Sequence, residues 1–283
     1  MPPPRPVSEA GLPRGVALIL FWLVVLLASL EPGLSRAQDR PRSSVGTGFV
    51  VTPVGHVVTA YHVIRDRTQV LVGPVQGKRW AVAKVLHVDP KRDLALLEAR
   101  VGREPLSIAD WSQVPVGLEA TVIGFPQPRL LGLEKKITQG IVNGDAASRS
   151  APPSFQLSAE IHQGNSGGPV LAPDGTVIGV VQRKLNALAV AEKTRDLPQN
   201  VNYALRSDEL KQFLDDAGFS VTVRAPDLSA DPRPFRLYRR VESSILAVIG
   251  RDPPPDPGRE AAPAPEELRQ EPGPERPQSR PAF

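Results

Sequence analysis

Ser166 stands in the run His162-Gln-Gly-Asn-Ser-Gly-Gly-Pro169, with glycines at 164, 167 and 168. Residues without side chains around a hydroxyl serve two ends. They permit a tight turn, and they leave backbone N–H groups open to an oxyanion beside an attacking serine. A serine hydroxyl is a weak nucleophile near neutral pH unless a base takes its proton. Histidine, with an ordinary pKa of about 6.5, is the usual base. An acid then fixes the imidazole tautomer and stabilises the imidazolium. The chain has four histidines, His56, His62, His87 and His162, and all four precede Ser166.

That order discriminates between triad types. Gly164-Asn-Ser-Gly-Gly168 fits the G-x-S-x-G elbow of α/β-hydrolases, but that fold needs acid and histidine after the serine, and no histidine follows Ser166. The order acid, base, serine needs an aspartate upstream of the base. Beyond the N-terminal leader only Asp39 qualifies, and it lies at the very start. The order base, acid, serine remains. His62, in VVTAYHVI, sits where an apolar strand gives way to a loop or short helical turn, a place that presents a side chain at a domain edge. His56 follows Gly55 on an exposed turn, His87 lies mid-strand as a structural residue, and His162 is too close to Ser166 in the chain to approach from across a cleft. Asp93, just before the apolar run Leu94–Leu97, is the first candidate acid. Asp89, before Pro90 in a turn, is the second.

The elements that must position these groups read as strands. From about Ser43 to Leu205, short apolar runs alternate with Gly, Pro and Asp punctuation, and Pro173-Asp174-Gly175 marks a hairpin turn. Many short strands at this spacing predict an all-β barrel or sandwich. A helix is predicted over 207–218, with Ser207 as N-cap, Leu210, Phe213 and Leu214 on one face and Gly218 at its stop. A second, basic amphipathic helix is predicted over 235–249, from the spacing of Leu237, Val241, Ile245 and Val248. Residues 251–283 are rich in Pro, Glu, Arg and Ala, a composition that forms no packed core.

Of the 283 residues 41% are hydrophobic, the net charge is +4 and 32 are proline, crowded at both ends. Without cysteine there are no disulfides, thiolate metal sites or cysteine nucleophiles. No zinc-finger spacing, basic zipper or aromatic–basic RNA motif is present, so nucleic acid is not an expected partner. Neither a cofactor nor a metal is expected. Arg5 and Arg14 precede the uncharged run Val16–Leu30, and Ser35-Arg36-Ala37 follows. Residues 1–37 therefore read as a secretory signal cleaved after Ala37. The alternative is an uncleaved anchor with membrane contact through residues 16–30. Either way the rest of the chain is exported, to the periplasm or the extracellular space.

VVTAYHVI, KRDLALLEA and IHQGNSGGPVL, in this order, resemble the trypsin-like serine peptidases, most of all the HtrA/Deg branch. GTGFVVTPVGHVVTAYHVI is similar to that branch's opening hairpin, and NYALRSDELKQFL to its closing strand and helix. The resemblance covers about residues 43–215. It implies two six-stranded antiparallel β-barrels with a C-terminal helix: an N-barrel over about 43–105, a C-barrel over about 115–206 and a closing helix over 207–218, all within a peptidase domain of 38–218. Residues 219–250 are then a basic extension and 251–283 a tail. It also implies His62 as base, Asp93 as orienting acid, Ser166 as nucleophile, and the N–H groups of Gly164 and Ser166 as the oxyanion hole. About 65 residues follow Gly218, too few beside the tail for the PDZ domain usual in the branch.

The expected activity is that of a serine endopeptidase on protein or peptide substrates, in envelope protein processing or quality control. An oligomer is compatible with the sequence. Glu160, six residues before Ser166, is a candidate wall of the primary specificity pocket for a basic residue; otherwise it faces solvent or an arginine. Ile161 is the apolar alternative. Two other readings stand beside the peptidase: a latent fold that binds peptides or proteins, and an adhesive envelope protein acting through the basic helix and tail. Deleting 225–283 is expected to leave a peptidase active.

Overall fold

Strands here are short runs whose side chains alternate between two apolar destinations. In β2 (His56–Ala60) Val57 points into one core and Val58 into another, and in β5 (Leu94–Glu98) Ala95 and Leu97 part from Leu94 and Leu96 in the same way. Strands buried on both faces need the near-continuous apolar runs that the sequence shows. The computed structural model describes residues 43–74, 79–146, 152–184, 201–231 and 233–252. The apolar run 16–30, the expected cleavage after Ala37 and all of the tail beyond Asp252 lie outside the described residues.

In chain order the elements are β1 (Ser43–Val50), β2, α1 (Tyr61–Ile64), β3 (Gln69–Gly73), β4 (Ala81–Asp89), β5, β6 (Ile108–Ala109), β7 (Glu119–Gly124), α2 (Pro128–Leu131), β8 (Lys136–Asp145), β9 (Ser154–Leu157), β10 (Pro169–Leu171), β11 (Val177–Lys184), β12 (Asn202–Arg206), α3 (Ser207–Asp216), β13 (Val223–Arg224), α4 (Pro234–Val241) and β14 (Ile245–Arg251). They build two closed six-stranded antiparallel barrels, as expected. The first runs β1-β14-β3-β4-β5-β2 and back to β1. The second runs β10-β7-β8-β9-β12-β11, closed by the pairing of β10 with β11. β6 lies parallel to β11, and β13 parallel to β6.

The first barrel is filled by Val50, Val57, Val70, Val72, Leu97, Leu246 and Val248, the second by Val122, Val142, Phe155, Leu157, Val170 and Ile178. A third cluster gathers residues from both barrels and the helices: Phe49, Leu94 and Leu96 from one side, Ile123, Leu171 and Leu205 from the other, with Phe213 of α3 and Leu237 of α4. Burial of this kind contributes about 1.5–3 kcal/mol per large aliphatic or aromatic side chain.

Two expectations for the C-terminal region are corrected. The helix expected over 235–249 ends at Val241, and after a 3-10 turn at Glu242–Ser244 the chain becomes β14, paired antiparallel with β1 on one side and β3 on the other. Ile245-Leu246-Ala247-Val248-Ile249 is a continuous aliphatic run, which a strand buried on both faces accommodates and a one-sided helix does not. Residues 219–250 are therefore no mere extension. The first barrel, expected from 43–105 alone, takes its sixth strand from the C-terminal end, and that strand runs into the expected tail as far as Arg251. Deleting 225–283 would remove a barrel strand, so it cannot separate a peptidase from an adhesive protein. The expected helix α3 forms and ends at Asp216, two residues before Gly218, whose φ is +80°. Its N-cap position is Arg206 rather than Ser207, which is buried as the first helical residue.

Candidate active site

His62 is delivered by the end of β2. The chain turns from strand into the single helical turn α1, and Val63 and Ile64 sink into the first barrel, which leaves His62 at the surface with 42% of its side chain exposed. Asp93 lies in the turn between β4 and β5 at φ +53°. Its main-chain oxygen accepts from Tyr61 N at 2.9 Å, its Oδ1 from His62 N at 2.9 Å, and its Oδ2 lies 2.6 Å from His62 Nδ1. Three hydrogen bonds thus fix one short turn against another. With Nδ1–H donating to Asp93, the neutral imidazole carries its lone pair on Nε2, the atom a general base uses.

Ser166 lies on the loop between β9 and β10. This loop packs directly against the segment that carries His62, and glycines allow it. A Cβ at Gly167 would fall 2.3 Å from Ala60 N, and one at Gly46 would meet Val63 Cγ2 at 2.5 Å and Ser166 O at 3.0 Å. Ser166 O accepts from Thr47 N at 2.9 Å. The Ser166 hydroxyl donates to the main-chain oxygen of Gln182 at 3.1 Å and makes no hydrogen bond with His62.

The turn 162–168 is held by Asn165 N donating to His162 O, Gly168 N to Asn165 O and Gly167 N to Val181 O. The N–H groups of Gly164 and Ser166 donate to no described residue. Gly164 has φ +101°, and a Cβ there would stand 2.1 Å from Phe125 O. Two free N–H groups on one tight turn can receive an oxyanion.

Three residues with a part in this arrangement were not singled out in the sequence. Thr47, fully buried, donates its hydroxyl to Gly164 O at 2.7 Å and accepts there from Phe125 N at 3.1 Å, which ties β1 to the loop and to the end of β7. Gln182 holds the Ser166 hydroxyl. Arg92 precedes Asp93 and is bound by Asp89, Glu209 and Asp216. No local pattern marks them, since each acts on a partner more than 75 residues away or through its main chain.

The remaining candidates fall elsewhere. Asp89 accepts from the N–H groups of Lys91 and Arg92 and from the Arg92 guanidinium, so it holds the turn and faces no histidine of the site. His56 is half-buried rather than exposed: its Nδ1 lies 2.7 Å from Thr52 Oγ1, its ring meets Phe219 edge-on, and burial pulls its pKa below 6.5 against the pull of Glu98. The His87 ring lies tilted against Phe213, 5.2 Å between centroids. His162 Nε2 lies 4.0 Å from Glu160 Oε2, and the Glu160 side chain is 66% exposed. Ile161 is buried in the core of the second barrel.

Comparison with known proteins gives the following. Residues 46–180 match the family model described as a trypsin-like peptidase domain. The uncharacterized protein y4bJ of Sinorhizobium fredii is 40% identical over 207 residues, which is 73% of this chain and 32% of that protein. A probable periplasmic serine endoprotease, DegP-like, of Chlamydia pneumoniae is 36% identical over 156 residues, 52% of this chain and 31% of that protein. The chain thus spans about a third of the length of these curated relatives. Among solved structures, the HtrA-type protease AlgW with a decapeptide superposes with a TM-score of 0.51 at 21% identity, covering 61% of this chain and 51% of that one. Among the described residues no helix is long and apolar enough to cross a membrane.

Proposed function

Because the chain belongs to the trypsin-like serine peptidases of the HtrA type, we propose that it is an exported endopeptidase that cleaves protein substrates through His62, Asp93 and Ser166. The observation that carries this reading is the double grip of Asp93 on the backbone N–H and the ring of His62, which leaves Nε2 facing its task as a base. The relatives named as periplasmic endoproteases and the leader-like residues 1–37 support export.

In the reaction, the Ser166 hydroxyl leaves the Gln182 carbonyl and donates to His62 Nε2. Its oxygen attacks the peptide carbonyl carbon as the proton passes to the imidazole. The oxyanion settles on the N–H groups of Gly164 and Ser166, which are already free and need no reorganisation. His62 then gives its proton to the leaving amine, and an acyl-enzyme remains on Ser166. Water, deprotonated by His62, releases the acid and restores the serine. Glu160, exposed beside His162, is the candidate for favouring a basic substrate residue.

One observation favours a second reading. The Ser166 hydroxyl is held by Gln182 rather than by His62, as suits a latent fold that binds peptides and turns over only when activated. Labelling with a fluorophosphonate decides between the two. The peptidase reading expects rapid modification of the protein and none of Ser166→Ala. Folded protein that does not react would leave the binding reading in place.

A further inference from the structure

Asp93 holds a backbone conformation, φ +53°, that residues with side chains seldom adopt. The turn that carries it needs support from outside, and the support converges on the residue before it. The Asp89 carboxylate takes Lys91 N at 2.8 Å and Arg92 N at 3.0 Å. The Arg92 guanidinium reaches Asp89 Oδ2 at 2.7 Å, Glu209 Oε2 at 2.7 Å and Asp216 Oδ2 at 3.3 Å. Glu209 and Asp216 belong to α3, which follows the second barrel. The main-chain oxygen of Arg92 accepts from Gln182 Nε2 at 3.1 Å, and Gln182 belongs to β11 of the second barrel. That oxygen is only an acceptor, so the Gln182 amide must present its NH2 there. Its other atom, Oε1, lies 3.3 Å from Ser154 Oγ. Gln182 therefore touches the nucleophile with its main chain and the acid-bearing turn with its side chain.

We infer that Gln182 and Arg92 are positioning residues: they fasten the Asp93 turn of the first barrel to the second, and so keep Asp93 aimed at His62 while the Ser166 loop stays in register with it. The inference rests on the serine-peptidase reading for its effect on rate. The arrangement differs from simple adhesion between barrels, because the tie is made one residue from the acid and at the residue that holds the serine hydroxyl. Loss of adhesion would lower stability and leave turnover of the folded molecule alone. Loss of positioning would lower turnover of molecules that remain folded.

The test uses the full-length protein and the variant Gln182→Leu, which keeps the side-chain bulk and removes the amide. Two quantities are read at a temperature where both are folded. One is kcat and KM on a peptide substrate together with the rate of fluorophosphonate acylation. The other is the low-field proton resonance of the His62 Nδ1–H bonded to Asp93. A shift of about 1 Å at the acid is expected to slow acylation by about 10- to 100-fold. The loss falls in kcat with KM unchanged, and the low-field resonance broadens or disappears. A wild-type rate and an unaltered resonance in folded Gln182→Leu would overturn the inference. If the parent protein does not acylate, the peptidase reading fails, and the resonance still decides whether Gln182 holds Asp93 on His62. Should Gln182→Leu not fold, Glu209→Gln replaces it, since it weakens the grip on Arg92 without altering shape. An unchanged rate and resonance there overturn the inference equally.

Discussion

At Gly164 the backbone adopts φ +101°, and a methyl group there would stand 2.1 Å from the carbonyl oxygen of Phe125. The neighbour is main chain and cannot swing aside, so Gly164→Ala must tilt the peptide whose N–H the proposed mechanism offers to the oxyanion. Losing one such donor typically slows the chemical step by about 100- to 1,000-fold. Acylation of Gly164→Ala by a fluorophosphonate is expected to fall by that order. Gly102→Ala is the control: its φ is +55°, but a Cβ there meets nothing within 4 Å. It should lower the thermal midpoint slightly, through strain of order 1 kcal/mol, with the acylation rate kept. Equal rates in the two variants would separate Gly164 from the oxyanion. At this scale the sequence was informative, because a serine ringed by glycines and a histidine at a strand end each carry a local reason for their residue type.

At the scale of elements, the decisive strand is β14. It fills the gap between β1 and β3, with partners from Ser43↔Arg251 to Phe49↔Ile245 on one edge and from Gln69↔Arg251 to Gly73↔Ala247 on the other. Its inward residues Leu246 and Val248 are buried in the first barrel. Without it, two strands expose unpaired edges and the barrel core opens. A protein ending at Ala230 is expected to lose cooperative unfolding and acylation together. One ending at Asp252 keeps both, since Asp252 still bonds Arg67 and Thr68. Circular dichroism melts and fluorophosphonate labelling of the two truncations check this. A folded, reactive protein ending at Ala230 would show that β14 is dispensable.

The whole molecule is stitched by carboxylates that join segments distant in the chain. Burial pushes Asp89 upward, but hydrogen bonds from Arg92 and Lys91 outweigh it and hold the carboxyl below its ordinary 3.8. Asp174 is likewise pushed up by burial and brought lower by Thr176, by the Asp227 N–H and by Arg224, and these contacts pin the β10–β11 turn to β13 and to the chain after it. Asp252 is lowered by the Thr68 N–H and by Arg67. A carboxyl whose folded pKa lies below its unfolded value stabilises the fold above the unfolded value, and the contribution is lost as pH falls through the folded one. The melting temperature is therefore expected to be level above about pH 5 and to fall steeply below about pH 4. Asp174→Asn should start lower and lose less on acidification. Because the central cluster draws on both barrels, calorimetry should record one transition at every pH; two transitions would mean that the barrels unfold apart.

The sequence by itself pointed to His62, Asp93 and Ser166, of which the structure joins His62 to Asp93 by hydrogen bonds. The order histidine, aspartate, serine was the reading left once no histidine followed Ser166 and only Asp39 stood upstream of His62 beyond the leader, and strand boundaries were written in short apolar runs and their Gly, Pro and Asp stops. It also determined the all-β class, since period and turn chemistry are local properties of the chain. Only the tertiary structure decided where Ile245–Arg251 belongs. Leu237, Val241, Ile245 and Val248 fit helical spacing, and what overrides that spacing is an open slot between β1 and β3, whose paired residues lie from Gly73↔Ala247 to Ser43↔Arg251, far away in the chain. The same holds for Gln182, Arg92 and Thr47. Their residue types are unremarkable in local context, and their roles arise from hydrogen bonds across the barrel interface that no periodicity records. Local chemistry is legible one residue at a time, whereas closure of a barrel is a property of edges that meet only after folding.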